Sequence, residues 1–149
     1  MRFSIVALLL AVQLVAPPAA RAQLGSQYKG QIVYKGGDTS SFTSFWSTLA
    51  GDKFPYSRDV RDMKGSTLDL PMVRLAGVSR IDFIEPTSDE KKLIAAQGRP
   101  ATRKATVTFR DGKKLEKIFL DVTLSKWTGP HEEGSLESEQ IVAMVFNSK

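Results

Sequence analysis

Apolar and polar residues alternate most regularly in residues 105–124, which read ATVTFRDGKKLEKIFLDVTL. Two runs rich in β-branched and aromatic residues flank an Asp-Gly pair, a strong signal for a β-hairpin. A two-residue loop would put Val107 opposite Glu116, whereas a three-residue loop ending at Gly112 puts Val107 opposite Leu115. The longer loop also places Gly112 where a positive φ is needed. The pattern therefore predicts a hairpin with a three-residue loop.

The second strand of this hairpin is apolar on both faces. Strict alternation puts Leu115 and Phe119 on one face and Ile118 and Leu120 on the other. Such a strand is typical of a central or bent position in a small barrel or sandwich.

A weaker version of the same pattern occupies residues 28–48. The segment QIVYKGGD aligns with TVTFRDGK, so that Tyr34 corresponds to Phe109 and Gly37 to Gly112. The alignment predicts a second hairpin with a three-residue loop.

The faces of this second hairpin follow from alternation. Val33 and Phe45 fall on one face, and the other carries Tyr28, Ile32, Tyr34, Phe42 and Trp46. Aromatic rings of this kind could form an exposed platform for a sugar or a protein partner. We expect them to lie in the core instead, because large exposed aromatic patches are rare on monomeric proteins.

Each hairpin is followed by a similar closing segment. Residues 65–83 and 134–146 both begin with Gly-Ser and end in an apolar-x-Phe triplet. We therefore predict two structural repeats, at about 28–84 and 104–146, separated by a linker at 85–103. Chance similarity between β-rich segments is the competing explanation, since such segments share turn chemistry.

The combination of an Asp-Gly hairpin, a strand that begins with Gly and an Ile-x-Phe ending resembles short β repeats of exported bacterial proteins whose function is unassigned. It is also similar to the strand order of small SH3-like or Sm-like barrels. The resemblance implies an all-β fold and carries no functional residue to this chain. We expect a single all-β domain over residues 23–149, a small barrel or sandwich built from two similar β repeats.

The linker between the repeats has a different character. Thr87 and Glu90 have the spacing of a capping box, good helix formers follow, and Gly98 and Pro100 would end a helix. One short helix or a tethered loop is predicted there.

Residues 1–22 have the pattern of a signal peptide. Arg2 precedes an apolar run at 5–15, and Ala20-Arg21-Ala22 provides a small-x-small cleavage site. The apolar run is too short to span a bilayer, which needs about 20 residues. We therefore expect export to the periplasm or the extracellular space, with a mature chain that begins at Gln23. The chain has no Cys and no N-glycosylation sequon, which favours a bacterial envelope or secreted protein.

Few residues suggest chemistry. The single histidine, His131, stands beside Glu132 and Glu133, but neighbouring loop residues do not converge on one ion, and the spacings of zinc sites are missing. The sequence contains no Gly-x-Ser-x-Gly motif, no glycine-rich phosphate loop and no specific nucleic-acid motif. The carboxylate pair Asp59 and Asp62 shows no sign of a cleft between its members. We predict no catalytic residue, no metal site and no cofactor.

Charge is the strongest anomaly of composition. The chain has a net charge of +5, and without Arg2 and Arg21 it keeps 19 basic and 16 acidic residues. The segment 91–117, which we call the basic ridge, contains only two acidic residues and nine basic ones: Lys91, Lys92, Arg99, Arg103, Lys104, Arg110, Lys113, Lys114 and Lys117. Alternation predicts that Lys104 and Arg110 face solvent, with Lys114 on the same side and Lys113 beside the turn. The candidate anion-binding residues are thus Lys104, Arg110, Lys113 and Lys114.

These patterns predict a non-enzymatic binding or structural protein of the bacterial cell envelope, whose partner, an envelope protein or an anionic polymer, they do not identify. The alternative is binding of a polyanion or a surface glycan by the basic ridge, through release of counterions. Lysines that merely keep strands soluble and block edge pairing would produce the same composition.

Overall fold

The computed structural model describes residues 28–98 and 101–148, so the predicted signal peptide lies outside the described residues. The described part has one α-helix, α1 (Ser88–Ala96), and short 3₁₀ turns at Val60–Asp62 and Leu75–Gly77. Its strands are β1 (Gly30–Tyr34), β2 (Thr39–Phe42), β3 (Ser44–Ser47), β4 (Lys53–Ser57), β5 (Met72–Arg74), β6 (Val78–Ile84), β7 (Thr102–Phe109), β8 (Lys114–Asp121), β9 (Ser125–Thr128), β10 (Glu133–Gly134) and β11 (Ile141–Phe146).

The strands form two antiparallel sheets. The larger has eight strands in the order β2-β1-β11-β6-β7-β8-β4-β5, and the smaller has the order β10-β9-β3. The all-β prediction is confirmed, but a closed barrel is wrong, because β2 and β5 remain as edges of the large sheet. The sheet does not close at β2 since the chain leaves it at Thr43, whose N–H donates to the Thr128 carbonyl at 2.8 Å in the smaller sheet.

One cluster of buried side chains joins the two sheets. Phe45 of β3 and Phe54 of β4 meet with ring centroids 5.5 Å apart, and Trp127 of β9 is buried between the sheets. From the large sheet the cluster includes Ile32, Phe42, Ile81, Val107, Leu120 and Met144. The smaller sheet therefore covers the apolar face of the larger one.

The β7–β8 hairpin has the predicted register. Val107 lies opposite Leu115, and the Phe109 N–H donates to the Lys113 carbonyl at 2.8 Å, which leaves a three-residue loop. Gly112 in this loop has a φ of 88°, as predicted.

A β-bulge changes the second strand of this hairpin. Lys117 has a φ of 53°, and its N–H donates to Thr106 Oγ1 at 3.3 Å, so that β8 has one extra residue at this point. The predicted faces of β8 are therefore wrong: Leu115 packs on the main core with Ile118, and Phe119 faces the other way. Phe119 joins a second, smaller cluster with Val60 and Met63.

The β1–β2 hairpin also has its predicted three-residue loop. The Tyr34 N–H donates to the Asp38 carbonyl at 2.8 Å, and Gly37 has a φ of 96°. Phe42 is buried, but Trp46 is 44% exposed, contrary to the prediction, and Phe45 takes the inner position. The bend at Thr43 restarts the alternation, because the two aromatic residues that follow belong to the other sheet.

Each hairpin pairs with the closing strand from the other half of the chain. β1 pairs with β11, where Ile32 lies opposite Met144, and β7 pairs with β6, where Val107 lies opposite Ile81. In the alignment of the two halves, Ile32 corresponds to Val107 and Met144 corresponds to Ile81. The two pairings therefore join equivalent positions. β11 and β6 are themselves neighbours at the centre of the large sheet.

The ends of these two pairings match as well. Both registers shift beside the hairpin loop, where Tyr34 pairs with Ile141 and Phe109 with Val78. Just beyond, the Lys35 N–H donates to the Gln140 carbonyl at 2.8 Å, and the Arg110 N–H donates to the Gly77 carbonyl at 2.9 Å.

Helix α1 confirms the predicted short helix in the linker. Thr87 and Glu90 form the capping box, with each side chain accepting a hydrogen bond from the other residue's backbone N–H. The helix lies beside the 3₁₀ turn Val60–Asp62, and its Ile94 packs on the Phe119 cluster. Across the described ranges, no helix has the length and apolar character needed to cross a membrane.

Candidate functional site

A cavity of about 620 Å³ opens where helix α1 meets the ends of β6 and β7 and the segment before β11. Its volume falls in the range of about 300–1,000 Å³ that is usual for small-molecule sites. The apolar part of its wall consists of Phe83, Ile84, Pro86, Ile94, Ala95 and Val142. We call it the Arg103 cavity after the cation in its wall.

The guanidinium of Arg103 is held by main-chain carbonyls. Nη1 donates to the carbonyls of Leu136 and Ser138, both at 3.0 Å, and Nη2 donates to the carbonyl of Ile141 at 2.8 Å. The guanidinium carbon lies 3.9 Å from the centroid of the Phe83 ring, in cation–π contact. Three hydrogen bonds and the contact with the Phe83 ring therefore fix the position of the Arg103 guanidinium.

This cation is desolvated without a close counterion. Burial lowers the pKa of Arg103 to about 10, while Glu139 and Glu85 act in the opposite direction from a distance. No carboxylate within residues 28–98 and 101–148 forms an ion pair with Arg103. Three of the five N–H donors of its guanidinium are used by the carbonyls, and the other two make no hydrogen bond to the described residues.

Thr102, the neighbour of Arg103 in the cavity wall, carries an unpaired hydroxyl. The residue is only 6% exposed, and Oγ1 has no hydrogen-bond partner among the described residues. A buried hydroxyl without a partner is unfavourable by about 1–3 kcal/mol.

One ion pair lies among the remaining charges of the cavity. Lys91 pairs with Glu85 and thereby lowers the pKa of Glu85, and Lys35 adds to this effect. Glu137 and Glu139 also line the cavity, so its wall carries charges of both signs.

Lys104 does not face solvent as predicted. Its side chain is 12% exposed, and Nζ lies 2.8 Å from Oε1 of Glu90, because helix α1 covers this end of β7. The hydrogen bond from Lys104 is the main reason that the pKa of Glu90 is lowered.

The other candidate anion-binding residues lie at the opposite end of the hairpin. Arg110 is exposed, and its Nη2 donates to the Asn147 carbonyl at 3.0 Å. Lys113 and Lys114 are exposed, and Lys113 Nζ lies 3.9 Å from a carboxylate oxygen of Asp111. Six residues along a strand span about 20 Å, so Lys104 and Arg110 cannot contact the same small ligand.

The acidic candidates and the histidine do not come together. His131 and Glu132 are exposed, and Glu133 forms an ion pair with Lys126 at 3.2 Å. Asp59 binds Arg61, whereas Asp62 accepts a hydrogen bond from Ser57. No group of three or more His, Cys, Asp or Glu residues that could hold a metal ion occurs in the part of the chain that the structure describes.

In the sequence, Arg103 stands out only as one charge of the basic ridge. A signal for its real position was present, because alternation puts it on the same face of β7 as Ala105 and Val107, which are buried. A charged residue on the core-facing side of a strand needs hydrogen bonds to nearby groups.

No protein-family model, curated protein or solved structure matches this chain.

Proposed function

We propose that the protein is an exported, non-enzymatic binding protein of the bacterial envelope, and that its ligand is a small amphipathic molecule with an anionic group. The observation that carries the proposal is Arg103, a desolvated cation in a cavity wall that lacks an ion-paired carboxylate among the described residues. An anionic group there would form charge-assisted hydrogen bonds with the two remaining N–H donors.

The rest of the ligand should be apolar. The hydrocarbon portion of the ligand would cover the apolar surface of the cavity, which is formed by Phe83, Ile84, Ile94 and Val142. Burial of such surface contributes about 25 cal/mol per Å².

The proposal of binding without catalysis is supported by the chemistry of Arg103. Arginine remains protonated near neutral pH, so Arg103 can bind and orient an anion but cannot accept a proton from it. The solitary histidine, His131, is on an exposed loop segment and does not line the cavity. Export is supported by the sequence pattern of residues 1–22.

Binding of decanoate and of decanol by the full chain, measured by calorimetry, tests the proposal. We expect decanoate to bind at least about tenfold more tightly, a difference of about 1.4 kcal/mol, because only decanoate pairs with Arg103. Arg103→Lys should remove most of this preference, since lysine lacks the planar set of donors. Equal affinities for the two compounds, or binding of neither, would refute it.

Thr102→Val is the control that separates the charge of Arg103 from the packing around it. It removes the enclosed, unpaired hydroxyl of the neighbouring residue and leaves the cation in place. The variant should therefore be as stable as the parent or more stable, and should keep the preference for decanoate. Loss of the preference in Thr102→Val as well as in Arg103→Lys would show that packing, and not the cation, is its cause.

The basic ridge supports a second candidate function, binding of an anionic polymer. Arg110, Lys113 and Lys114 are exposed around one hairpin loop, which favours electrostatic contact with a polyanion. Lys104 is the weak member of the set, because Glu90 already neutralises it.

We also infer that residues 28–84 and 104–146 are two repeats of one unit. The support is that Ile32 pairs with Met144 as Val107 pairs with Ile81, and that both pairings shift register at the same position. Chance similarity of turns would not extend to the pairing of strands from opposite halves.

A further inference from the structure

A second, smaller cavity of about 220 Å³ lies beside the start of β1 and the end of β11. Two of its lining residues, Tyr28 and Lys29, hold the positions in the first half that Arg103 and Lys104 hold in the second. Arg103 and Lys104 both line the Arg103 cavity.

The remaining lining residues follow the same correspondence. At the end of the closing strand β11, Phe146 matches Phe83 of β6, and the two residues that follow, Asn147 and Ser148, match Ile84 and Glu85. All six of these residues line one cavity or the other.

The hairpin loops complete the match. Arg110 lines the smaller cavity and Lys35 lines the larger one, and their N–H groups make the equivalent loop hydrogen bonds. The acceptors of these bonds, Gly77 and Gln140, directly follow Ala76 and Glu139, which also line the two cavities. Every residue that lines the smaller cavity thus has its counterpart in the larger one.

The charges of the two cavities differ at three matched positions. Where the Arg103 cavity has Glu85 and Glu139, the smaller cavity has Ser148 and Ala76, and where it has Arg103 the smaller cavity has the neutral Tyr28. Lys29 and Arg110 line the smaller cavity, and no acidic residue among the described ones does. Its described wall therefore carries two cations and no carboxylate.

The neighbouring groups leave these cations available. Arg110 uses one donor of Nη2 on the Asn147 carbonyl at 3.0 Å, which fixes the guanidinium at the cavity wall. Tyr28, which also lines the smaller cavity, donates its hydroxyl proton to Asp52 Oδ2 at 2.7 Å. Burial is the main reason that the pKa of Tyr28 lies far above its usual value, so Tyr28 stays neutral.

We propose that the cavity between Lys29 and Arg110 is a second binding site, which takes a small oxyanion such as phosphate or a carboxylate. Its volume is below the range of sites for drug-sized molecules, so it has no room for the amphipathic ligand of the larger cavity. A planar guanidinium and an ammonium group that line the same small cavity are suited to an oxyanion with several acceptor oxygens.

Titration of the ¹⁵N-labelled full chain with inorganic phosphate, against sodium chloride at the same ionic strength, tests the site by NMR. We expect saturable shifts of the backbone amides of Ala76, Arg110 and Asn147 that chloride does not produce. Acetate in a parallel titration distinguishes a site for any small carboxylate from one that needs the phosphate oxygens.

Variants decide whether the cavity or general surface charge causes the shifts. Arg110→Gln should weaken phosphate binding about tenfold or more, and Lys29→Gln should also weaken it. Lys113→Gln removes an exposed charge of the same hairpin that does not line the cavity, so it should bind as the parent does.

Shifts that grow without saturation, or that survive Arg110→Gln, would overturn the proposal. Equal shifts near Lys113 and Lys114 would assign the effect to the basic ridge instead. Loss of the decanoate preference in Arg103→Lys assigns decanoate to the Arg103 cavity, and loss of phosphate binding in Arg110→Gln assigns phosphate to the smaller one, so failure of this site and failure of the proposed function can be told apart.

Discussion

The two hairpins, β1–β2 and β7–β8, begin from nearly the same pattern and end in different surroundings. Both have three-residue loops, and in both the third loop residue, Gly37 or Gly112, has a positive φ. In β1–β2 the preceding loop residue, Gly36, also has a positive φ, at 89°. In β7–β8 that place is taken by Asp111. The loops are therefore equivalent in length and hydrogen bonding but not in backbone conformation.

Beyond the loops the hairpins diverge. β2 ends at Phe42 and the chain passes to the smaller sheet, whereas β8 continues through the bulge at Lys117 and pairs with β4. The bulge turns Phe119 to the outer face, where helix α1 and the turn Val60–Asp62 lie. The comparison shows that one extra residue in a strand can turn an apolar side chain to the opposite face of the sheet, where a helix packs over it.

The largest expected effect concerns the central pairings of the large sheet. Ile81→Ala and Met144→Ala remove fully buried side chains at equivalent positions, so each should lower the free energy of unfolding by about 2–5 kcal/mol. Urea denaturation measures both, with Leu68→Ala, at a residue 51% exposed, as the control that should change little. A loss at one position more than twice that at the other would break the equivalence of the two pairings.

A smaller effect is expected at the loops. Gly112→Val and Gly37→Val put a β-branched residue at a positive φ, which should lower the free energy of unfolding by about 1–3 kcal/mol. No atom lies within 4 Å of the added Cβ at either position, so the cost reports backbone strain alone. Lys113→Thr, at an exposed neighbouring position, should be nearly silent. Denaturation midpoints equal to that of the parent would show that these loops tolerate side chains.

The smallest expected effect on stability concerns the lysine before or at the start of each hairpin. Lys29 is exposed, whereas Lys104 at the matching position is paired with Glu90 of helix α1. Glu90→Gln should therefore lower the free energy of unfolding by about 0.5–1 kcal/mol at neutral pH. Because the pKa of Glu90 is lowered in the folded state, this stabilisation is present above the unfolded pKa and is lost as pH falls through the folded value.

Urea midpoints of the parent and Glu90→Gln at neutral and acidic pH measure this effect. The two proteins should converge in acid, and Asp89→Asn, on the same helical turn but exposed, should differ little from the parent at either pH. A gap between parent and Glu90→Gln that stays constant with pH would show that the ion pair is not its cause.

Local features of the fold could be predicted from the sequence, because they depend on neighbouring residues. The loop ending at Gly112 follows from side-chain parity, and helix α1 follows from its capping box at Thr87 and Glu90. The positions of Leu115 and Trp46 could not be predicted in this way. A bulge and a change of sheet each shift the alternation, and neither has a distinct local signature in this chain.

The candidate sites depend on contacts that are remote in the sequence. Arg103 is held by carbonyls of Leu136, Ser138 and Ile141, and nothing near residue 103 indicates those partners. Lys104 was expected in solvent for the same reason, because its partner Glu90 comes from a helix whose docking place the sequence does not specify. Charge counting found the basic segment but not which of its members are already neutralised.

The placement of the tryptophans has a spectroscopic consequence. The chain has two, Trp46 and Trp127, and both lie in the three-stranded sheet, one on its outer face and one beneath it. Trp127 should emit at shorter wavelength and resist acrylamide, whereas Trp46 should emit at longer wavelength and be quenched readily. Tryptophan fluorescence therefore observes the outer face of the small sheet through Trp46 and the packing between the two sheets through Trp127. An unfolding curve followed by fluorescence, compared with one followed by circular dichroism, would show whether the two sheets come apart together.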